Sequence, residues 1–276
     1  MAHLLSLFTI LSLLLLLFPS SSLAHDALFS EPIQFLFGGE NLTDGDLTLS
    51  LSNKCSLVLY NAGEKVLDFK TTINSTKHCA LLVSPDGQLL LVPDNELIPT
   101  TKIGKKTYPG RYALLFIKGK LGIFGPAMWD NGVTGITYTT SHHLKSGVAN
   151  YLLFSGHTVS GSANGDVVIA ENNKVSAVIT PYCTLSVKYN SNVTVWETEP
   201  QSSEPTACEL SLKPNGELLL QGDGESGVYT QWSGGYASEE KLYVCLLRHN
   251  GQILVYGLKA WLYEPTTDAA IKMVVP

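Results

Sequence analysis

The sequence has few charged residues and no cluster of basic ones. Only 15% of its 276 residues are charged, and 24 acidic side chains outnumber 18 basic ones, for a formal net charge of −6. Nucleic acids and anionic membrane surfaces bind proteins through groups of Lys and Arg. The composition therefore argues against both as partners, whereas a hydrophobic content of 45% is enough to build a folded core.

Long helical patterns are also missing. Beyond the N-terminus, no stretch places apolar residues at helical spacing between recognisable caps. Short apolar runs rich in β-formers are found instead at 57–60, 88–92 and 252–256, and turn residues adjoin them at 85–87 and 249–251. Many short strands joined by tight turns predict an all-β sandwich, barrel or prism.

The one long hydrophobic run lies at the N-terminus. Residues 4–18 are almost continuously apolar, and small residues at Ser22 and Ala24 follow a short polar stretch. This order is typical of a signal peptide cleaved after Ala24, although its first residues include no Lys or Arg. A membrane anchor is the alternative, but the run is short for a bilayer span of about 20 residues. We therefore expect residues 1–24 to be removed and the protein to be secreted, with an extracellular or vacuolar location.

An internal repeat is the strongest signal in the sequence. The segment 78–91, with a Cys followed by a Pro-Asp-Gly turn, matches 207–220, with a Cys followed by Pro-Asn-Gly. Three further landmarks recur in the same order, so the chain contains two copies of one domain. The predicted parts are a first domain at 25–131, a linker at 132–149, a second domain at 150–266, and a tail at 267–276 that is either a removable propeptide or a last strand.

The cysteines and glycosylation motifs fit an exported protein. The repeat makes Cys55–Cys79 and Cys183–Cys208 equivalent disulfide pairs, each worth about 3 kcal/mol by loop closure. The fifth cysteine, Cys245, lies in an apolar run and is expected to be a buried free thiol, with an intermolecular bridge as the alternative. The glycosylation acceptors, each of which would lie on the surface if occupied, are Asn41, Asn74 and Asn192.

The repeated landmarks resemble the bulb-type (monocot) mannose-binding lectin family. Its opening Leu-x-Ser-Gly is similar to 153–156, its Cys-Asn-Leu-Val-Leu-Tyr to 55–60, its Asp-Gly-Asn-Leu-Val to 86–90, and its closing Val-Ile-Tyr-Gly before Trp to 254–257 with Trp261. The resemblance covers nearly all of residues 33–265. It implies two tandem β-prism domains, each of three small antiparallel sheets with pseudo-threefold symmetry. It also implies carbohydrate binding, and a homodimer formed through C-terminal strands.

In that family, each of three strands per domain carries Gln-x-Asp-x-Asn-x-Val-x-Tyr. Every second residue of a strand faces the same side, so the polar residues form a row that offers hydrogen bonds to sugar hydroxyls, while Val packs on the ring. None of the six copies in this chain keeps the full row, and the copy at 117–124 is one residue short. We therefore expect weakened or altered sugar specificity.

Two rows retain enough polar residues to be candidate sugar sites. The row at 248–256 keeps the order of polar residues but replaces Gln by Arg and Asp by Asn. The row at 84–92 keeps the Asp. The alternative for both is an ordinary turn and strand, because Asp-Gly and Asn-Gly are common hairpin turns. The candidates, in order of preference, are Arg248, Asn250, Gln252 and Tyr256 of one row, then Asp86 and Gln88 of the other.

No catalytic constellation, cofactor motif or metal-ligand spacing stands out. The pair His142-His143 has no nearby acidic or Cys partner, and 104–107 resembles the end of a phosphate loop but lacks the upstream glycine. We therefore expect no enzyme, no cofactor and no metal. The predicted partners are mannose-type glycans or glycoproteins, with plant defence as a role. The alternative is a storage or protein-interaction module without sugar activity, offering aromatic residues such as Trp196, Tyr229, Trp232 and Tyr236.

Overall fold

The computed structural model describes residues 27–71, 79–93, 99, 101–133, 150–172, 174–199, 202, 204–224 and 227–265. The side chains of 223–229 and 231 are not part of that description, and neither are the predicted signal peptide, most of the linker, the tail and Asn74. The described residues form 22 strands and no helix, which confirms the all-β prediction. None of these residues belongs to a helix long and apolar enough to cross a membrane.

The strands fall into two matching sets of eleven. The first set is β1 (Ala27–Phe29), β2 (Leu36–Phe37), β3 (Asn41–Asp44), β4 (Leu47–Leu51), β5 (Leu57–Asn61), β6 (Glu64–Asp68), β7 (Cys79–Val83), β8 (Leu89–Pro93), β9 (Thr101–Ile103), β10 (Ala113–Ile117) and β11 (Lys120–Asp130). The second set is β12 (Asn150–Phe154), β13 (His157–Ser160), β14 (Val167–Asn172), β15 (Val175–Ile179), β16 (Leu185–Tyr189), β17 (Val193–Glu197), β18 (Cys208–Leu212), β19 (Leu218–Gly224), β20 (Gly227–Gly234), β21 (Tyr243–Leu247) and β22 (Ile253–Tyr263).

Each domain has two sheets of its own and a share of a third. The first domain has β3-β4-β5-β6 and β2-β7-β8-β9, and the second has β14-β15-β16-β17 and β13-β18-β19-β20 in the same order. The remaining strands form one six-stranded sheet, β1-β10-β11-β22-β21-β12, to which both domains contribute. The repeat seen in the sequence is therefore a repeat of structure.

Alternating side chains fill one core in each domain. In β4 the three leucines are buried and the Thr and Ser between them are half-buried, as the two-residue period of a strand requires. Leucines from all three sheets meet in the first core, among them Leu49, Leu81 and Leu114. Each domain is thus three small sheets around an apolar axis.

Three tryptophans, one from each sheet, pack on the core of the second domain. The ring centroids of Trp129, Trp196 and Trp232 are 5.3 to 6.4 Å apart and the rings meet edge to face. Trp196 and Trp232 are therefore half-buried and pack against the core of the prism. Tyr236, by contrast, is exposed, and the side chain of Tyr229 lies outside the description.

The two domains exchange the ends of their longest strands. β11 pairs antiparallel with β22 along most of its length. Met128 and Trp129 of β11 pack on the second core, while Leu262 and Tyr263 of β22 pack on the first. The predicted boundary after residue 131 thus follows the sequence repeat but not the packing. The last described strand, on which the family resemblance placed a homodimer contact, is paired within the chain.

The cysteines confirm one predicted disulfide and correct the other. Cys55 and Cys79 are bonded, with Cα atoms 5.8 Å apart. Cys183 and Cys208 are instead buried free thiols whose sulfur groups share a hydrogen bond. That hydrogen bond, followed by burial, raises the pKa of Cys183. The repeat therefore predicted which cysteines are neighbours, whereas it did not establish a bond. Cys245 is a fully buried free thiol, as predicted.

Candidate functional site

Five of the six predicted rows begin at the same kind of hairpin turn. At Ser84, the backbone carbonyl accepts from the Gly87 amide at 2.9 Å, and the Ser84 amide donates to the Gln88 carbonyl at 2.8 Å. Gly87 has a φ of +73°, so the loop is a tight turn closed by a left-handed residue. The same two hydrogen bonds are found in the turns that begin at Ser52, Thr180, Lys213 and Arg248. The turns therefore give all five rows one register.

The sixth hairpin departs from this geometry. Ile117 pairs directly with Lys120, and the two residues between them, Lys118 and Gly119, have φ values of 51° and 75°. Positive φ at both central residues defines a two-residue type I′ turn. The loop is one residue shorter than in the other five hairpins, as the sequence predicted, and it cannot present the row.

The row that the sequence favoured is covered. Arg248 and Tyr256 have no exposed surface. The Arg248 guanidinium lies 4.3 Å from the centre of the Phe29 ring, and its Nη1 donates to the Glu31 carbonyl at 2.5 Å and to Gln252 Oε1 at 2.9 Å. Asn250 Nδ2 also donates to Gln252 Oε1, at 3.1 Å. These contacts use the polar row inside the protein, so the preference for this row is corrected.

Packing between the domains explains why this row is covered. A third apolar cluster joins residues of the first domain, such as Phe29, Ile117 and Phe124, to Leu254 and Tyr256 of the second. The face that carries the row at 248–256 and the equivalent face of the first domain, at 117–124, thus line one core between the two domains. Because such a core excludes water, burial lowers the pKa of Arg248, and the same burial raises the pKa of Tyr256 to about 12.

The second candidate row opens onto a cavity. A space of about 310 Å³ lies beside the Asp86 turn. Its walls come from the row itself, from Pro99, from β9 and from the loop that follows β9. The lining residues are Ser84, Pro85, Asp86, Gln88, Leu90, Pro99, Lys102, Lys106 and Pro109. Asp86 and Gln88 therefore share one open site, where three prolines and a leucine supply apolar surface.

Asp86 is held as a carboxylate acceptor. Ser84 Oγ donates to Asp86 Oδ1, and Lys106 Nζ lies 3.5 Å from Oδ2. Burial alone would raise the pKa of Asp86, but the Ser84 hydrogen bond and the Lys106 charge outweigh it and lower that pKa below 3.8. The Asp86 side chain retains 24% exposure, so the carboxylate can also accept hydrogen bonds from a ligand.

Gln88 is fixed with its oxygen available. Its Nε2 donates to the Gly104 carbonyl at 2.8 Å, and its backbone amide donates to Ser84 Oγ at 3.0 Å. An amide side chain that uses its nitrogen in this way still has an oxygen able to accept hydrogen bonds. Asp86 and Gln88 therefore present two acceptors from one hairpin.

The sequence reasoning missed the far wall of the cavity. Lys102 lies on β9, and Lys106 lies in the loop that follows it. Both are far from the row in sequence and come to it only because β9 pairs with β8. A Lys-Lys pair at 105–106 was visible in the sequence, but no local pattern links it to Asp86.

The described residues contain no group of three or more His, Cys, Asp or Glu side chains placed to hold a metal ion. Two three-sheet prisms, with five equivalent row-forming hairpins, define a two-domain β-prism protein.

Comparisons with known proteins agree with this class. No family model matches the chain. It is 29% identical over 240 residues to mannose-specific lectin 1 of Colocasia esculenta, covering 85% of this chain and 81% of that one. It is 28% identical over 257 residues to mannose-specific lectin 1 of Remusatia vivipara, covering 91% and 92%. A fetuin-binding two-domain lectin from Scilla campanulata shares the fold, with a TM-score of 0.65, 19% identity and coverage of 86% of this chain and 99% of that one.

The chain is thus similar over most of its length to monocot mannose-specific lectins. The two-domain β-prism fold expected from the sequence is thereby confirmed. These relatives are called lectins, which are binding proteins rather than enzymes.

Proposed function

We propose that this protein binds carbohydrate at the cavity beside Asp86 and Gln88. The observation that carries the proposal is the open 310 Å³ space at a family row position, with an ionised carboxylate in its wall. The relatives named above are called mannose-specific lectins, which makes mannose-type glycans and glycoproteins the first ligands to consider.

The cavity has the chemistry that a hexose needs. Adjacent hydroxyls of a sugar ring can donate to Asp86 and to the Gln88 side-chain oxygen, and charge-assisted bonds to a carboxylate are roughly twice as strong as neutral ones. Leu90, Pro85 and Pro109 supply apolar surface for the C–H face of the ring. The site therefore combines hydrogen-bond acceptors with a surface that a ring can cover.

The same geometry predicts weakened or altered specificity. Ser84 stands where the family row has Gln, and its hydroxyl is already bonded to Asp86. Val92 stands where the row has Tyr, so a phenolic hydroxyl is missing from the far end. Each lost hydrogen bond to a ligand removes about 0.5–1.5 kcal/mol, so we expect the two losses to weaken the binding of simple mannosides by about fivefold to 150-fold relative to a site that keeps the full row.

Secretion, glycosylation and a role in defence are further parts of the proposal. Asn41 and Asn192 both have exposed side chains, as glycan acceptors require. Mass spectrometry of the mature protein would test both points, since an N-terminus at His25 and glycan masses on these two asparagines are expected. A retained N-terminal Met1 would contradict export by cleavage.

A titration with methyl α-mannoside, followed by amide NMR shifts, tests the site. We expect shifts at residues 84–90 and 102–106, and their loss in Asp86→Asn, which keeps the size of the side chain but removes the charge. Asn250→Ala is the matched control from the covered row and should bind as the wild type does. Unchanged binding by Asp86→Asn, or loss of binding only in Asn250→Ala, would refute the assignment.

A further inference from the structure

We infer that the Asp86 cavity prefers a saccharide that carries a negative charge beside the sugar ring, such as a uronate carboxylate or a sulfate ester. The inference rests on the proposed function and deepens it by naming the class of sugar. Its starting point is the charge of the cavity wall, which the family row alone would not produce.

Among the described residues that line the cavity, positive groups outnumber negative ones. Of the nine lining residues, two are lysines, Lys102 and Lys106, and one is a carboxylate, Asp86. Lys106 lies 3.5 Å from Asp86 and balances its charge. Lys102 is exposed and, among the described residues, forms no ion pair, so its ammonium group remains for a ligand.

A third lysine strengthens the positive field from behind the turn. Lys259, on β22 of the second domain, donates from Nζ to the Gly87 carbonyl at 2.5 Å and also to the Lys105 carbonyl. Its Nζ lies 5.5 Å from the centre of the Tyr112 ring, which anchors it beside the turn. This cluster of Lys102, Lys106 and Lys259 stands out in a chain whose net charge is −6.

The positive wall changes what the site selects. The neutral donors that the family row places at its two ends, Gln and Tyr, are replaced here by Ser84 and Val92. The donors that face the cavity are now ammonium groups, which form their strongest bonds with anions. A neutral hexose uses Asp86 and Gln88 alone, whereas an acidic hexose also gains Lys102.

Three ligands with the same ring separate this inference from the proposed function. They are methyl α-mannoside, methyl α-mannuronoside with a carboxylate at C6, and methyl α-mannoside 6-sulfate. Calorimetric or NMR titrations should show the better of the two anionic ligands binding about twofold to fivefold more tightly than the neutral one, as expected for one exposed ion pair. Comparing the affinities of the carboxylate and the sulfate then shows which of the two anionic groups the site prefers. The preference should shrink as salt is raised, because screening weakens exposed charge pairs.

Variants of one exposed lysine test the mechanism. Lys102→Gln should remove the preference for the anionic ligand, measured as the ratio of its affinity to that of the mannoside in the same variant, and Lys102→Arg should retain that ratio. Lys54→Gln is the matched control, since Lys54 is exposed in the equivalent turn of the first row and does not line the cavity.

Three outcomes would overturn the inference in distinguishable ways. If mannoside binds with dependence on Asp86 but neither anionic ligand binds more tightly, the charge preference is refuted and the proposed function stands. The same holds if Lys102→Gln keeps the full preference. If none of the three ligands binds, both the inference and the proposed function fail.

Discussion

At the scale of single residues, the environment of Asp86 fixes how binding should depend on pH. Its carboxylate is the acceptor that a sugar hydroxyl needs, and the lowered pKa keeps it ionised to well below pH 5. We expect mannoside affinity to be constant from pH 7 to about pH 5 and to fall as the pH drops through the lowered pKa, because protonation removes the acceptor.

Titrations at pH 7, 5 and 3 would measure this dependence. Circular dichroism at each pH provides the control that the fold persists. An affinity that already halves between pH 7 and pH 6 would contradict an ionised Asp86 as the controlling group and would indicate a histidine instead.

Arg248 differs from Asp86 because it is a row residue that is buried and does not face an open cavity. Its Nε and Nη2 atoms are buried without a hydrogen-bond partner among the described residues. Leaving polar groups unpaired in this way costs stability, whereas an open sugar site would keep them near water or ligand. The residue that looked most like a ligand donor is therefore held by Phe29 and Glu31 as part of the domain interface.

At the scale of the hairpin, Gly87 supports the site by its conformation and by its lack of a side chain. Its φ of +73° disfavours other residues, and an added Cβ would lie 2.7 Å from the Tyr112 ring and 2.8 Å from Lys259 Nζ. Gly63 has a similar φ of +83° but nothing within 4 Å of its Cβ position. Substitutions at the two glycines therefore separate the free-energy cost of backbone strain from the cost of a steric clash.

We predict that Gly63→Ala lowers the free energy of unfolding by about 1–2 kcal/mol and that Gly87→Ala lowers it by at least about 1 kcal/mol more. The first change adds only the strain of a left-handed alanine, whereas the second also displaces Lys259 or Tyr112. Denaturant unfolding monitored by tryptophan fluorescence would measure both values. Equal losses would mean that the Tyr112–Lys259 packing around the turn adapts without cost.

The hairpins also show how far the sequence could predict the structure. Pro-Asp-Gly and His-Asn-Gly between β-forming runs predicted the turns, and the alternation of side chains along a strand predicted which residues share a row. The same alternation assigns Tyr256 to the row face but cannot say what covers that face. Phe29 and Glu31, which cover it, lie more than 200 residues away in sequence. Lys102 was missed for a related reason, since only the pairing of β8 with β9 brings it to Asp86.

At the scale of the whole molecule, the two domains behave as one packed unit because they exchange strand ends. Trp129 belongs to the first repeat but packs with Trp196 and Trp232 of the second. Leu262 and Tyr263 make the reciprocal contact with the first core. A third apolar cluster then fills the space between the domains. Each core is therefore completed by residues of the other repeat.

This exchange predicts the behaviour of a cleaved chain. We expect a variant with a protease site inserted between residues 140 and 141 to remain a single particle after cleavage, because β11 and β22 stay paired and each core keeps its exchanged residues. Size-exclusion chromatography with light scattering would measure the mass of the cleaved protein. The Cys55–Cys79 bond lies within the first fragment and cannot hold the two together. In guanidinium the fragments should separate, which is the control for complete cleavage. Two fragments that elute separately in native buffer would show that the linker, rather than the exchanged strands, holds the domains together.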